Sequence, residues 1–272
     1  MVKLADMNHT TLSIINNRTH MAEMRPYIGG SQVGHPCSRY LWYSFRWCYQ
    51  EKLTNRMYRL FNRGHREEEI FIENLRYAGI NCYGFQAEIT FAYGHGKGHI
   101  DGLGINVREA HKAVHLLEFK TMNDKYFNEC VKSGVEKSKP EYYAQTQIYM
   151  SKLNGVERTL FCAVNKNTDD YYIERLRFDP AHAEFLERKA EAVVLAEVPP
   201  KRLSDNPTYY ICKFCAACDI CHNGKPPLET CRTCAYVGLE NEGYWSCTNY
   251  GIYLANDQQR LGCDNYELQV ME

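Results

Sequence analysis

Two short stretches carry the residues best suited to chemistry. In Gly98-His-Ile-Asp101-Gly-Leu-Gly an aspartate closes an apolar-flanked segment, and in Leu116-Leu-Glu118-Phe-Lys120 a glutamate and a lysine stand two residues apart. Side chains alternate faces along a strand, so Glu118 and Lys120 point one way while Leu117 and Phe119 point into the opposite layer. Two carboxylates converging on one point make a hard, oxygen-rich site suited to Mg²⁺ or Mn²⁺. A lysine beside them can orient or help deprotonate a water and counter charge developing on a phosphate. The chemistry these residue types allow is metal-assisted hydrolysis of a phosphodiester.

Two further stretches frame this pair. Upstream, Phe61-Asn-Arg-Gly64-His65-Arg-Glu-Glu68-Glu69 opens an amphipathic helix with a G-x3-E spacing; downstream, Tyr142-Tyr-Ala-Gln145-Thr-Gln-Ile-Tyr149 carries Q-x3-Y. His65 and Glu68 lie one helical turn apart, as do Gln145 and Tyr149, so each pair shares a face. The order G-x3-E, D, E-x-K, Q-x3-Y resembles the RecB-like branch of the PD-(D/E)XK nuclease superfamily. That resemblance implies a restriction-endonuclease-like α/β core, a mixed central sheet flanked by helices. It also implies that Asp101, Glu118, Glu68 and the carbonyl of Phe119 hold one or two Mg²⁺ or Mn²⁺ ions, with His65 as the substitute ligand. Lys120 would position the attacking water, and Gln145 and Tyr149 would hold the lysine or the DNA backbone in register. An exposed helix-start histidine and an ordinary polar helix edge remain the plainer readings of His65 and of Gln145 with Tyr149.

Cysteine is the second signal. Eight of the 13 cysteines follow residue 211, and Cys212-Lys-Phe-Cys215-Ala-Ala-Cys218-Asp-Ile-Cys221 is dense enough to wrap one soft centre. An odd count and an N-terminus without an apolar signal region argue for metal or free thiols over disulfides, hence for the cytoplasm. The C-x2-C-x5-C set Cys212, Cys215 and Cys221 resembles the iron–sulfur staple of AddB-type and CRISPR-adaptation nucleases, which implies a fourth ligand far upstream, at Cys37, and a [4Fe–4S] cluster. The local set that includes Cys218 instead of Cys37 stays open, as does zinc with His222 as a ligand. Beyond the stiff Gly224-Lys-Pro-Pro-Leu linker, the knuckle Cys231-Arg-Thr-Cys234 with Cys247 and Cys263 has zinc-ribbon gaps. It is similar to the cysteine-rich tails of phage-encoded nucleases. Cys48, Cys82, Cys130 and Cys162 stand singly among apolar residues and read as buried thiols.

The 272 residues, 44% of them hydrophobic, suffice for a full α/β core over residues 1–228 and a small zinc-ribbon-like module over 229–272. A net charge of −1 excludes a protein that coats nucleic acid but not an enzyme with a local basic path. Arg56, Arg59, Arg63 and Arg66 recur at helical spacing, and Arg39 and Arg46 flank the aromatic run Tyr40 to Trp47. That run suits a single-strand channel, although Trp42 and Phe45 read first as helix core. No segment is long and apolar enough to span a membrane. Periodicity predicts helices over 38–50, 55–78, 139–153 and from Asp179-Pro180 to 197. Strands are expected at 80–93, 97–105, 113–121, 157–166 and 170–178, with a mobile loop at 122–137. The expected function is a DNA exonuclease of recombination, repair or phage genome processing. It would act on single-stranded or free-ended DNA, with a replication or recombination protein as possible partner. The alternative is a non-catalytic binding module on a nuclease scaffold.

Overall fold

The structure is a computed structural model that describes residues 20–21 and 23–270. The N-terminus read as lacking an apolar signal region lies outside the described residues. In chain order the helices are α1 (Ser38–Phe45), α2 (Asn55–Tyr77), α3 (Asp124–Ser138), α4 (Pro140–Met150), α5 (Pro180–Leu195), α6 (Tyr210–Lys213) and α7 (Cys218–Asn223). The strands are β1 (His20–Met21), β2 (Ile28–Gly29), β3 (Lys52–Leu53), β4 (Asn81–Tyr83), β5 (Glu88–Phe91), β6 (Gly96–His99), β7 (Gly102–Ile105), β8 (His115–Met122), β9 (Arg158–Asn165), β10 (Tyr171–Arg177), β11 (Val237–Leu239), β12 (Trp245–Cys247) and β13 (Ile252–Tyr253).

The centre is a mixed five-stranded sheet in the order β10-β9-β8-β7-β4. Only β8 and β9 run parallel, and α3 and α4 make the crossover that such a pair requires. Residues alternate along β8 as their period dictates. Leu117 and Phe119 join Phe71 and Leu75 of α2 in one core, while Leu116 joins Trp42, Phe45 and Ile148 in another. The chain is thus a mixed α/β fold with helices on both faces of the central sheet.

Several expected boundaries shift for local reasons. The single strand expected over 80–93 is two, because Gly84 (φ +64°) and Gln86 (φ +56°) turn the chain between β4, in the central sheet, and β5, in a second sheet ordered β2-β6-β5. The strand expected over 97–105 likewise divides at Ile100-Asp101, with β6 in the second sheet and β7 in the central one. The helix expected to reach residue 50 ends at Phe45, since Trp47 is left-handed (φ +54°). The expected mobile loop at 122–137 is instead α3. The Asn123 side chain caps it by accepting the Tyr126 N–H at 2.9 Å, and Phe127 and Cys130 are buried one turn apart. Its kink at Gly134 (φ +75°) is held by Glu174, which accepts the Val135 N–H at 2.8 Å. Gly134 and the polar residues around it are what disguised this helix.

The C-terminal strands form a three-stranded antiparallel sheet in the order β11-β12-β13. It is fastened to the rest by Trp245, which is 1% exposed, lies 4.9 Å from the Phe45 ring and belongs to the larger core. An indole of this size removes ~150–250 Å² from water, an upper bound of roughly 4–6 kcal/mol. His95 completes the joint by donating from Nε2 to the Glu240 carbonyl at 2.7 Å. Burial, aided by the Arg232 and Arg46 guanidinia, holds the His95 pKa below the ordinary 6.5. The folded state therefore resists a proton that the unfolded chain accepts. The stability due to neutral His95 is present above pH 6.5 and is lost as pH falls below it. The melting temperature is expected to drop below that pH, and His95→Gln, which keeps a donor for Glu240, should flatten the drop. Equal acid sensitivity in variant and wild type would contradict this.

Candidate active site

The break between β6 and β7 is what builds the site. β7 pairs with β8 only from Gly102 to Gly104, opposite Leu117 to His115, so beyond Leu117 that edge of β8 is open. Asp101 stands at this corner and fills the gap with its side chain, Oδ2 accepting the Phe119 N–H at 2.7 Å. A side chain thus takes a ladder position, and its carboxylate is held against the strand that carries Glu118 and Lys120.

Glu118 is fully buried and doubly held: Lys120 Nζ donates to its Oε1, and Gln145 Nε2 donates to its Oε2 at 3.2 Å. Gln145 Oε1 is buried without a hydrogen-bond partner. Burial pushes the Glu118 pKa up to about 7; Lys120 opposes this, and Asp101 adds to it. Asp101 is also raised by burial, against Lys120 and the Phe119 N–H. Burial works against the Lys120 ammonium, but the two carboxylates outweigh it and its pKa is raised; the Tyr142 ring lies 5.3 Å from Nζ. An environment that disfavours two adjacent carboxylates is one that a divalent cation would relieve.

Glu68 on α2 belongs to the same electrostatic cluster. It is half-buried, and its pKa is raised by burial and then by Asp101, while His65 and Lys120 pull it down. His65, one turn earlier, is exposed. Tyr149 is buried, and its pKa is raised by burial and by Glu118.

Sequence reasoning missed how Tyr149 is seated. Its ring passes between Gly30 and Gly98, and a Cβ on either glycine would collide with it. The signal was present as Gly29-Gly30 and Gly96-Lys-Gly98, but two glycine pairs do not announce a shared partner. Gly98→Ala is expected to displace Tyr149 and lower any activity of this site at least about tenfold, since small misplacements at a reacting site are costly. Activity within twofold of wild type would show that the ring can give way.

The cysteines gather in two places. Cys37, Cys212, Cys215, Cys218, Cys221 and His222 line one pocket, and Cys231, Cys234, Cys247 and Cys263 line another. Burial pushes the Cys215 thiol up to about 11, with the Ala217 N–H opposing and Cys37, Cys218 and Cys221 adding to it. Cys231 is raised by burial and by the other three tail cysteines. Cys37 also caps α1, its Sγ accepting the Tyr40 N–H at 3.4 Å. Among the described residues no three His, Cys, Asp or Glu side chains close tightly enough to hold a metal ion as they stand. The donors at both pockets and at the acids are neighbours rather than finished cages. All 13 cysteines are free thiols; Cys48, Cys130 and Cys162 are buried, whereas Cys82 is only half-buried.

The basic and aromatic residues sort differently from expectation. Trp42 and Phe45 are core, as their spacing indicates. Arg39 and Arg46 do not line a channel. Arg39 is buried and donates to the Pro200 carbonyl at 3.0 Å, and Arg46 is buried between the Trp42 and Trp245 rings. On α2, Arg56, Arg59 and Arg66 are exposed, while Arg63 pairs with Glu67 at 3.4 Å. No helix among the described residues is long and apolar enough to cross a membrane.

No family model matches the sequence, and no curated protein does. Among solved structures the chain is similar to the alkaline exonuclease LHK-Exo from Laribacter hongkongensis, at 18% identity and a TM-score of 0.42 over 62% of this chain and 86% of that one. The same exonuclease in complex with dAMP aligns at 20% identity and a TM-score of 0.46, covering 63% of this chain and 87% of that one.

Proposed function

We propose that the chain is a divalent-cation-dependent DNA nuclease, an exonuclease of recombination, repair or phage genome processing. The observation that supports this most is the packing of Asp101, Glu118 and Glu68 around Lys120 at the open edge of β8. Asp101, Glu118, Glu68 and the Phe119 carbonyl would hold Mg²⁺ or Mn²⁺, and the donor set fits, being all hard oxygen in a setting that penalises bare carboxylates. When bound, the ion supplies an acidified water and neutralises charge on the phosphate. Lys120 holds Glu118 in place and presents its ammonium to the phosphate and the attacking water. Gln145 fixes the second Glu118 oxygen, and Tyr149 supports Gln145 from one turn away. The test is release of label from end-labelled single- and double-stranded DNA. Trimming from one end supports the reading; intact DNA across substrates and divalent ions sinks it.

The same reading assigns a staple to the first cysteine pocket and zinc to the second. Cys37, Cys212, Cys215 and Cys221 would hold a [4Fe–4S] cluster, or zinc, tying α1 to the segment after α5, so that metal binding becomes folding free energy. Cys231, Cys234, Cys247 and Cys263 would hold zinc. Metal-bound thiolates of this kind would suit a reducing compartment such as the cytoplasm. Cys37→Ser is expected to lose the staple's metal and lower the melting temperature of the whole core, with Cys218→Ser nearly silent. Iron and zinc contents of anaerobic preparations decide it, and the reverse ranking would assign the centre to the local set with Cys218.

A further inference from the structure

A groove of about 460 Å³ is used by none of the chemistry above. One wall is linked to the site through Tyr149. Gln32 lines the groove, and two residues earlier Gly30 packs against the Tyr149 ring, which on its far side meets Gly98, three residues before Asp101. The facing wall comes from α2. Phe61 lines the groove and precedes Glu68 by seven residues, two turns on one helix face and ~10 Å along the axis.

The inner surface is aromatic and already ordered. The Tyr40 and Tyr49 rings lie 6.4 Å apart, with Ser44 and Gln32 beside them in the lining. Phe61 is 50% exposed, so one face of its ring is open to a stacking partner. The charged lining is Glu23, Arg25 and Glu51, one negative charge in excess. That balance repels a phosphodiester and accepts an uncharged ring with a hydrogen-bonding edge. The volume falls within the ~300–1,000 Å³ range of small-ligand pockets.

We infer that this groove receives an unstacked nucleobase from a single-stranded DNA end, with Phe61 as its stacking face and the Tyr40–Tyr49 pair as its inner wall. A paired base cannot enter, so the groove selects single-stranded over duplex ends. The inference takes its DNA from the nuclease reading, but its test is a binding measurement that needs no cleavage.

The full-length chain is titrated, in EDTA and separately in Ca²⁺, with a labelled single-stranded 12-mer. A second series carries one abasic residue at each of the three terminal positions of either end. An abasic residue at one position is expected to weaken wild-type binding about tenfold, the scale of one lost base–aromatic stack. Phe61→Ala should lose the same factor on intact DNA and nothing more on that abasic DNA, while Phe61→Tyr binds like wild type. The inference is overturned if every abasic strand binds as intact DNA does, if Phe61→Ala weakens both equally, or if no DNA binds in either condition. A wild type that binds in this pattern yet never cleaves DNA would remove the nuclease reading and leave the base groove standing.

Discussion

Asp101→Asn and Glu118→Gln are each expected to lower Mg²⁺-dependent cleavage at least about a thousandfold, Asp101→Asn without lowering the melting temperature and Glu118→Gln with a smaller loss of stability than of rate. The isostere at 101 removes a charge and little else. Asn at 101 keeps an oxygen for the Phe119 N–H, whereas Gln at 118 has one oxygen for two donors, Lys120 and Gln145. Burial raises both acids, so each carboxylate is held against its environment and the neutral replacement relieves that cost. Unchanged stability with lost activity separates a reacting site from a structural ion pair. Lys120→Met should lose activity as well, but with lower stability, because it leaves Glu118 buried without its cation. Initial rates and thermal melts on the same preparations check all three. A structural pair would show the opposite ranking, with melting temperatures falling and rates holding.

The second large effect lies far from the acids. Arg232, between the knuckle residues Cys231 and Cys234, is fully buried, with its guanidinium 3.8 Å from the Trp47 ring centre and 4.1 Å from that of Trp245. It donates to the Phe45 carbonyl at 2.9 Å, the Pro26 carbonyl at 3.0 Å and Gln259 Oε1 at 2.8 Å. No carboxylate among the described residues pairs with it, and burial drives its pKa well down. Indole faces and carbonyl dipoles replace water as its solvation. Arg232→Ala would empty this cage and orphan three acceptors, at a cost of about 3–5 kcal/mol, or a fall in melting temperature of roughly 10 °C. Limited proteolysis should cut the variant first after residue 228, because this side chain pins the cysteine-rich tail to α1. A melting temperature within about 2 °C of wild type would mean that the cage closes over the gap.

The acids were legible because their information is local. A two-residue spacing on a strand puts Glu118 and Lys120 on one face in almost any context, and a four-residue spacing on a helix does the same for Gln145 and Tyr149. The central sheet followed from the same periodicities. What stayed hidden needs two distant segments at once. The Asp101 corner depends on β6 and β7 leaving for different sheets, which reads in sequence as one continuous strand. Gly30 and Gly98 matter only because one tyrosine passes between them. Arg232 sits in a knuckle where a basic residue reads as exposed, and nothing local says that two tryptophans await it. The helix over 124–138 was obscured by a single glycine whose kink is stabilised by Glu174, 40 residues downstream.

In the function proposed above, the carboxylate cluster at β8 drives phosphodiester hydrolysis with a divalent cation. Its most direct test is the cleavage rate of end-labelled single-stranded DNA by the wild-type chain as Mg²⁺ is titrated into an EDTA-stripped preparation. The rate should rise from none in EDTA and saturate, while an identically purified Asp101→Asn preparation stays flat throughout. A rate unaffected by EDTA, or matched by the variant, would place the chemistry elsewhere.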